Sequence, residues 1–311
     1  MEHENKIYVA GGQTLIGAAI LSALKRLGFP NVISEVDNKP DLENRYEVER
    51  FFERQRPDYV FLAAGKSGGI GANQKYPAEL MLNNLLVECH IIHSAYLYKA
   101  KKLLCLASSC SYPRLSPQPM QAASIMSGPL EPTNEAYGTA KIAGIKLCEA
   151  YRQQYGVNFI TCIPANAFGP GDDFGPHDSH VIAALIRRMY EAKLTGQSCV
   201  KIWGSGKPRR EFIYIDDLAN ACVFVMNQYD DAEVINLGGG TDLTIAELAE
   251  NIREVTGYPG ELQFDISKAD GMPLKALDSS RLLEMGWKPS IDFKNALNRT
   301  FEWFLNSLSR N

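Results

Sequence analysis

What the chain lacks sets its first bounds. Its seven cysteines (Cys89, Cys105, Cys110, Cys148, Cys162, Cys199 and Cys222) contain no CxxC spacing and are odd in number, which argues against a disulfide framework and a zinc cluster. No metal site is expected. Basic residues are not in surplus: 32 Lys and Arg against 36 Asp and Glu give a formal net charge of -4, with no footprint for nucleic acid. No apolar run approaches the roughly 20 residues of a membrane span. The opening Met1-Glu2-His3-Glu4-Asn5-Lys6 lacks the apolar core of a secretory signal. Internal repeats and low-complexity tracts are missing as well. The expectation is a cytoplasmic protein with no nucleic-acid or membrane partner. Its 311 residues, 45% of them hydrophobic, can bury a large core in one or two domains.

What is present begins with a buried-strand run, Lys6 to Ala10, then Gly11-Gly12-Gln13-Thr14-Leu15-Ile16-Gly17 and a helix from Ala18 to Leu27. Strand, glycine turn and helix in that order set backbone N–H groups and the positive end of a helix against a pyrophosphate. The usual three-glycine spacing wants Gly where Thr14 stands. A second strand (Asn31 to Val36, ending at Asp37), a helix (Asn44 to Gln55) and a third strand (Tyr59 to Ala63) continue a βαβ rhythm. A strand from Leu103 to Ala107 delivers Ser108 at its C-terminal end, where open parallel sheets place ligands. The fold expected is α/β: a Rossmann-type doubly wound parallel sheet with a smaller C-terminal α/β substrate-binding lobe. Residues 1–165 form the dinucleotide-binding domain, with 214–236 returning to it; residues 166–213 and 237–311 form the lobe. Its expected elements include helices Ser179 to Lys193, Ile245 to Thr256 and Phe293 to Leu308, a turn at Trp203-Gly204-Ser205-Gly206 and a strand from Arg209 to Ile215.

Tyr137 and Lys141 lie four apart, one above the other on a helix running to Tyr155. An ammonium there favours the ionised phenol and pulls its pKa down from roughly 10. With Ser108 to hydrogen-bond a substrate carbonyl, this is a proton-transfer device suited to hydride chemistry with a nicotinamide. Between serine and tyrosine, Pro113 to Pro132 reads as a long surface loop across the mouth of the site. His90 and His93, on a largely apolar helix, read as structural.

These residues resemble the extended short-chain dehydrogenase/reductase family, in its GDP-L-fucose synthase branch. The most specific stretches are Ala63-Ala64-Gly65-Lys66-Ser67-Gly68-Gly69-Ile70, Ser108 to Pro113, Leu130 to Tyr137, Ala140 to Glu149, Asp178 to Ile182 and Trp203 to Phe212. The resemblance implies a catalytic group of Ser108, Tyr137 and Lys141, with Tyr137 the proton donor to the oxygen at carbon 4. Cys110 and His180 stand as the acid/base pair that epimerises the flanking carbons. That chemistry is sound from the residues up. A 4-keto group acidifies both neighbouring C–H bonds, and a thiol and an imidazole, with ordinary pKa values near 8.5 and 6.5, can exchange those protons near neutrality. A packed thiol and a helix-capping histidine are the plainer alternatives.

The resemblance further implies cofactor contacts at Gly11, Gly12, Gln13, Thr14, Leu15, Ile16 and Gly17; at Asp37, Asn38, Asp41 and Leu42; at Ala63, Ala64, Gly65 and Asn84; at Leu106, Ala107 and Lys141; and at Pro164, Ala165, Asn166, Ala167 and His180. Substrate contacts fall to Ser109, Cys110, Asn166, Arg188, Trp203, Arg210, Asp270 and Lys275. The helices Leu82 to Lys99 and Ala140 to Tyr155 imply a homodimer. Three residues depart from the pattern: Gln13 stands where an arginine commonly meets a 2′-phosphate, Thr14 replaces the middle glycine, and Leu274 replaces a basic residue before Lys275. With Glu35 and Asp37 at the second strand's end, NAD(H) is expected over NADP(H), because Asp37 suits ribose hydroxyls and repels a 2′-phosphate. The activity expected is an NAD(P)H-dependent epimerase/reductase of a GDP-4-keto-6-deoxy sugar or close analogue. The alternative is a redox-neutral nucleotide-sugar epimerase that keeps NAD tightly bound.

Overall fold

The computed structural model describes residues 1–33, 40–176 and 179–309. Strand β1 (Ile7–Ala10) enters helix α1 (Leu15–Arg26), and β2 (Val32–Ile33), α2 (Arg45–Gln55), β3 (Tyr59–Leu62), α3 (Ile70–Lys75), α4 (Pro77–Leu97), β4 (Lys102–Leu106), α5 (Glu135–Tyr155) and β5 (Asn158–Pro164) follow. The chain continues through β6 (Asn166–Phe168), α6 (Val181–Thr195), β7 (Cys199–Trp203), β8 (Arg209–Tyr214), α7 (Ile215–Gln228), β9 (Ile235–Leu237) and β10 (Asp242–Thr244). It ends with α8 (Ile245–Thr256), β11 (Glu261–Asp265), β12 (Leu274–Lys275), α9 (Ser280–Glu284) and α10 (Phe293–Leu308).

The large sheet has the order β2-β1-β3-β4-β5-β9, and every neighbouring pair in it is parallel. Strands covered on both faces need no polar alternation. Accordingly Ile7, Tyr8, Val9 and Ala10 are all fully buried, as are Leu103 and Leu104. One face packs a core that includes Ile20, Leu24, Leu218 and Cys222. The other face packs Val48, Phe51, Phe52, Val87 and Ile91. Helices on both faces make the sheet doubly wound. Strand order reverses between β1 and β3, so the ligand crevice of this fold class lies beyond their C-terminal ends.

The remaining strands form smaller sheets. β8 pairs in parallel with β6 and β12 and antiparallel with β10, while β7 pairs in parallel with β11. The proline-rich stretch after Pro113 is anchored at its middle rather than lying loosely on the surface. Met120 is fully buried, its N–H donates to Ala276 O at 2.8 Å, and its carbonyl accepts from Asn236 Nδ2 at 2.9 Å. Tyr112 donates to the same asparagine's Oδ1 at 2.7 Å. Asn236 follows Ile235 in β9, so the start and the middle of the proline-rich stretch are tied to the sheet, and the middle also to the segment that carries Lys275.

Candidate active site

The turn after β1 is built by close backbone approach. Gly11 has φ +84°, and a Cβ there would lie 2.6 Å from Ala64 Cα, so β1 and β3 can meet at the crevice only through glycine. A Cβ at Gly17 would sit 2.0 Å from Gly11 O, which fixes the first turn of α1 against the loop. Thr14 fills the position of the missing glycine with useful chemistry. Its single hydroxyl proton is shared between Gly11 O at 2.9 Å and Ala63 O at 3.0 Å, and its oxygen accepts from Gly17 N at 3.1 Å, capping α1. Gln13 is exposed at the rim, while Leu15 and Ile16 are half-buried in the first helical turn.

Ser108 follows β4 and caps a short 3₁₀ turn, Ser109–Ser111, its Oγ accepting from Cys110 N at 3.2 Å. α5 comes in against that turn because residue 138 is glycine: a Cβ there would lie 2.6 Å from Cys110 O. This approach sets the Tyr137 phenol within hydrogen-bonding reach of Ser108. Lys141 Nζ lies 5.8 Å from the Tyr137 ring centroid. The three side chains thus converge as the sequence predicts.

The sign of the phenol's perturbation, however, is corrected. Burial raises the Tyr137 pKa, and the Lys141 ammonium only partly offsets it. One reason is a residue that sequence reasoning missed. Glu88 of α4 accepts from Lys141 Nζ at 2.8 Å, the two side chains being 2% and 6% exposed. Burial works to lower the Lys141 pKa, but Glu88, Tyr137 and Cys105 outweigh it and hold the ammonium well above its ordinary value. Asn84, also on α4, donates to Lys66 O at 2.8 Å and Leu80 O at 2.7 Å; its Oδ1 is buried without a partner, packed on Gly65. A buried acceptor beside Gly65 and Lys141 fits a ribose hydroxyl. The residues present therefore suit a dinucleotide.

Cys110 Sγ accepts from Asn134 Nδ2 at 3.2 Å and from Lys275 Nζ at 3.3 Å. Lys275 was expected to meet substrate; the structure sets it on the thiol, with Arg210 close by. His180 occupies the N-cap position of α6 without making a side-chain cap. Instead its Nδ1 lies 3.5 Å from Asp172 Oδ1, and that hydrogen bond raises the imidazole pKa against the effect of burial. His90 and His93 are structural contacts, to Leu42 O at 3.0 Å and to the Tyr151 hydroxyl at 2.7 Å.

Around this centre, Arg210 donates to Asp270 O at 3.3 Å, and Asp270 accepts from Ser205 N at 2.7 Å and Ser205 Oγ at 2.8 Å. Trp203 is 56% exposed and presents a ring face, with Lys268 Nζ 5.3 Å from its centroid. Arg188 donates to Lys201 O, which ties α6 to β7. Asn166 donates to Glu211 O at 2.7 Å, and Ser109 is buried in the 3₁₀ turn. Leu106, Ala107, Pro164 and Ala165 lie at the C-terminal ends of β4 and β5, with Ala107 N donating to Cys162 O at 2.9 Å; Ala167 is half-buried in β6. Asp41 and Leu42 lead into α2, Asp41 N donating to Glu47 Oε2 at 2.8 Å. Glu35, Asp37, Asn38 and Asp178 lie outside the described residues.

The model of the NAD dependent epimerase/dehydratase family matches residues 7–238. The chain belongs to that family. Its relatives include GDP-L-fucose synthase 1 of Arabidopsis thaliana, 47% identical over 303 residues that cover 97% of this chain and 94% of that one. Among solved structures, a GDP-6-OMe-4-keto-L-xylo-heptose reductase from C. jejuni superposes with a TM-score of 0.94 at 32% identity, covering 99% of each chain. A GDP-L-fucose synthetase from Naegleria fowleri bound to NADP superposes with a TM-score of 0.90 at 27% identity, covering 99% of this chain and 96% of that one.

That NADP-bound member of the family overturns the expectation of NAD(H) over NADP(H). A preference for NAD(H) requires the Asp37 carboxylate to face the ribose, a direction that residue type alone does not set. A carboxylate at a strand end repels a 2′-phosphate only when it points at it. Gln13 is exposed, and an uncharged amide still donates to a phosphate oxygen.

Proposed function

We propose that this family member is an NADP(H)-dependent epimerase/reductase of a GDP-4-keto-6-deoxy sugar or a close analogue. The observation that carries the reading is the convergence of Ser108, Tyr137 and Lys141 with Cys110 and Lys275 at the C-terminal end of β4. When bound, the dinucleotide supplies hydride to the sugar carbonyl. The turn Gly11 to Gly17 and the α1 N-terminus would hold its pyrophosphate, and Asn84 and Lys141 its ribose. Ser108 orients the carbonyl oxygen and Tyr137 gives it a proton, a role favoured by burial that keeps the phenol protonated. Cys110 and His180 exchange protons at the carbons flanking the ketone; Asp172 keeps the imidazole charged further up the pH scale, as a proton donor requires. Arg210 and Arg188 suit a diphosphate, and Trp203 offers a face to the base.

In this reading residues 1–165 with 214–236 bind the dinucleotide, and 166–213 with 237–311 form the substrate lobe. We also infer a homodimer through α4 and α5, whose outer surfaces expose Leu82, Leu97 and Tyr155, the last stacked on Tyr96 with centroids 4.2 Å apart. Among the described residues no helix is long and apolar enough to cross a membrane, and the cytoplasm is the compartment proposed.

The test is to mix the purified protein with NADPH and GDP-4-keto-6-deoxymannose in deuterated water, following absorbance at 340 nm and the product by NMR. Stoichiometric NADPH loss with deuterium at the flanking carbons is expected. Conversion without NADPH loss would replace the reading with a redox-neutral epimerase.

A further inference from the structure

Behind Lys141 stands a carboxylate that the proton-transfer chemistry above does not use. Glu88 Oε1 takes one N–H of the ammonium at 2.8 Å, and Leu106 O lies at 3.5 Å. Both partners are almost fully buried, so solvent screens the pair little. Holding the carboxylate there is costly. Its Oε2 is buried without a hydrogen-bond partner, and a Cβ at Gly144 of α5 would lie 2.3 Å from that oxygen, so any larger residue there has to displace the carboxylate. A buried ion pair of this kind gives little stability over an apolar pair of the same volume. The arrangement makes sense through what it does to the charge beside Tyr137.

We propose, building on the reductase reading, that Glu88 is a positioning residue: it fixes the Lys141 ammonium under Tyr137 and neutralises enough of its field to keep Tyr137 a protonated donor. An ammonium alone would draw the phenol toward phenolate, which suits oxidation of an alcohol. An anion directly behind it weakens that pull and suits reduction. The groups facing the phenol are Lys141 from α5, Glu88 from α4, and Cys110 and Ser108 from the 3₁₀ turn. Around the pair itself stand Cys105 of β4 and Cys148 of α5. The hydrogen bond to Cys148, together with burial, raises the Cys105 thiol well above its ordinary range and leaves it neutral. Lys141 and Glu88 are the opposite charges among these groups.

The test reads ionisation, not turnover. Tyrosine labelled with ¹³C at Cζ gives one resonance for each of the 14 tyrosines, and the signal missing from Tyr137→Phe identifies residue 137. In Glu88→Gln the amide oxygen still accepts from Lys141 but carries no charge. Its Tyr137 midpoint is expected to fall by about one pH unit, the order set by a unit charge a few ångströms behind the ammonium. Glu88→Asp, which keeps the charge one methylene away, should fall between wild type and Gln. A Gln midpoint equal to wild type, whatever the loss in melting temperature, overturns the proposal and leaves Glu88 a packing residue. Should the Gln variant not fold, the Asp variant decides by the same criterion. Failure of the wild type to oxidise NADPH would sink the reductase reading and leave this titration intact.

Discussion

Replacing Thr14 by glycine, the residue the three-glycine pattern wants, should destabilise this protein. The one proton of the Thr14 hydroxyl is shared between the carbonyls of Gly11 and Ala63, and its oxygen accepts from Gly17 N, so it ties β1, β3 and α1 together. Glycine is itself a tolerated N-cap, and losing the cap alone costs a few tenths of a kcal/mol. The donated bond is worth about 1 kcal/mol net. Thr14 sits at φ -71° and ψ 160°, a conformation open to any residue, so glycine gains nothing there. It adds about 0.5–1 kcal/mol of lost backbone entropy instead. The total is about 2 kcal/mol, which for a chain of this size lowers the melting temperature by about 3 °C. Differential scanning calorimetry of the cofactor-free protein reads it directly, with Thr14→Ser as control: serine keeps the hydroxyl and should lose about 1 °C or less. A glycine variant as stable as wild type, or a serine variant as weak as glycine, would show that the hydroxyl is not what holds the turn.

Three further outcomes follow from the site. Tyr137→Phe should cost on the order of a hundredfold or more in turnover with NADP(H) affinity nearly intact, measured by steady-state kinetics and calorimetry; unchanged turnover refutes the assignment of the proton donor. Asp172→Asn should move the His180 midpoint down toward the ordinary value near 6.5, followed by proton NMR of the five histidines. Because the folded value is raised, the pair stabilises fully below the unfolded value and loses that contribution as pH rises through the folded one, so the variant's melting temperature should lag most in acid and little in alkali; the half-exposed imidazole keeps the effect small. Gly144→Ala ought to gain about 1 kcal/mol in a free helix, yet the 2.3 Å approach to Glu88 makes the overpacking cost of about 1–3 kcal/mol win. A melting temperature that rises in this variant would contradict the close packing of α4 on α5.

The elements of the large sheet were legible because their signals are local. β1 and β3 are continuous apolar runs, β4 and β5 nearly so, and the predicted helix Ile245 to Thr256 coincides with α8, whose Thr244 and Glu247 form a capping box. β6, β7, β10, β11 and β12 escaped because they are short or edge-exposed: β11 alternates Leu262 and Phe264 with polar residues, but it has five residues and none of them is buried, and β12 has two residues. α4 begins at Pro77 rather than Leu82, with proline at the first position of the helix, to which its fixed φ is well suited. The loop after Pro113 looked free because its anchors, Asn236 and Ala276, lie more than a hundred residues away.

In the site, the candidate residues could be named from sequence but their charge states could not. Ser108, Tyr137 and Lys141 announce themselves by type and spacing. Burial raises the phenol's pKa, and a carboxylate 53 residues before Lys141 adds to it; the trace of that carboxylate in the sequence is one acid closing the apolar run Leu85-Leu86-Val87-Glu88. An acid in a run that should be buried is a signal, since burial of a charge demands a partner. The same logic applies to Cys110, whose lysine partner lies 165 residues further on in a strand of two residues. Spacing reports which groups a helix or turn brings together. Electrostatics is settled by groups that meet across the fold, and here these come from α4 and β12, two elements that the motif does not contain.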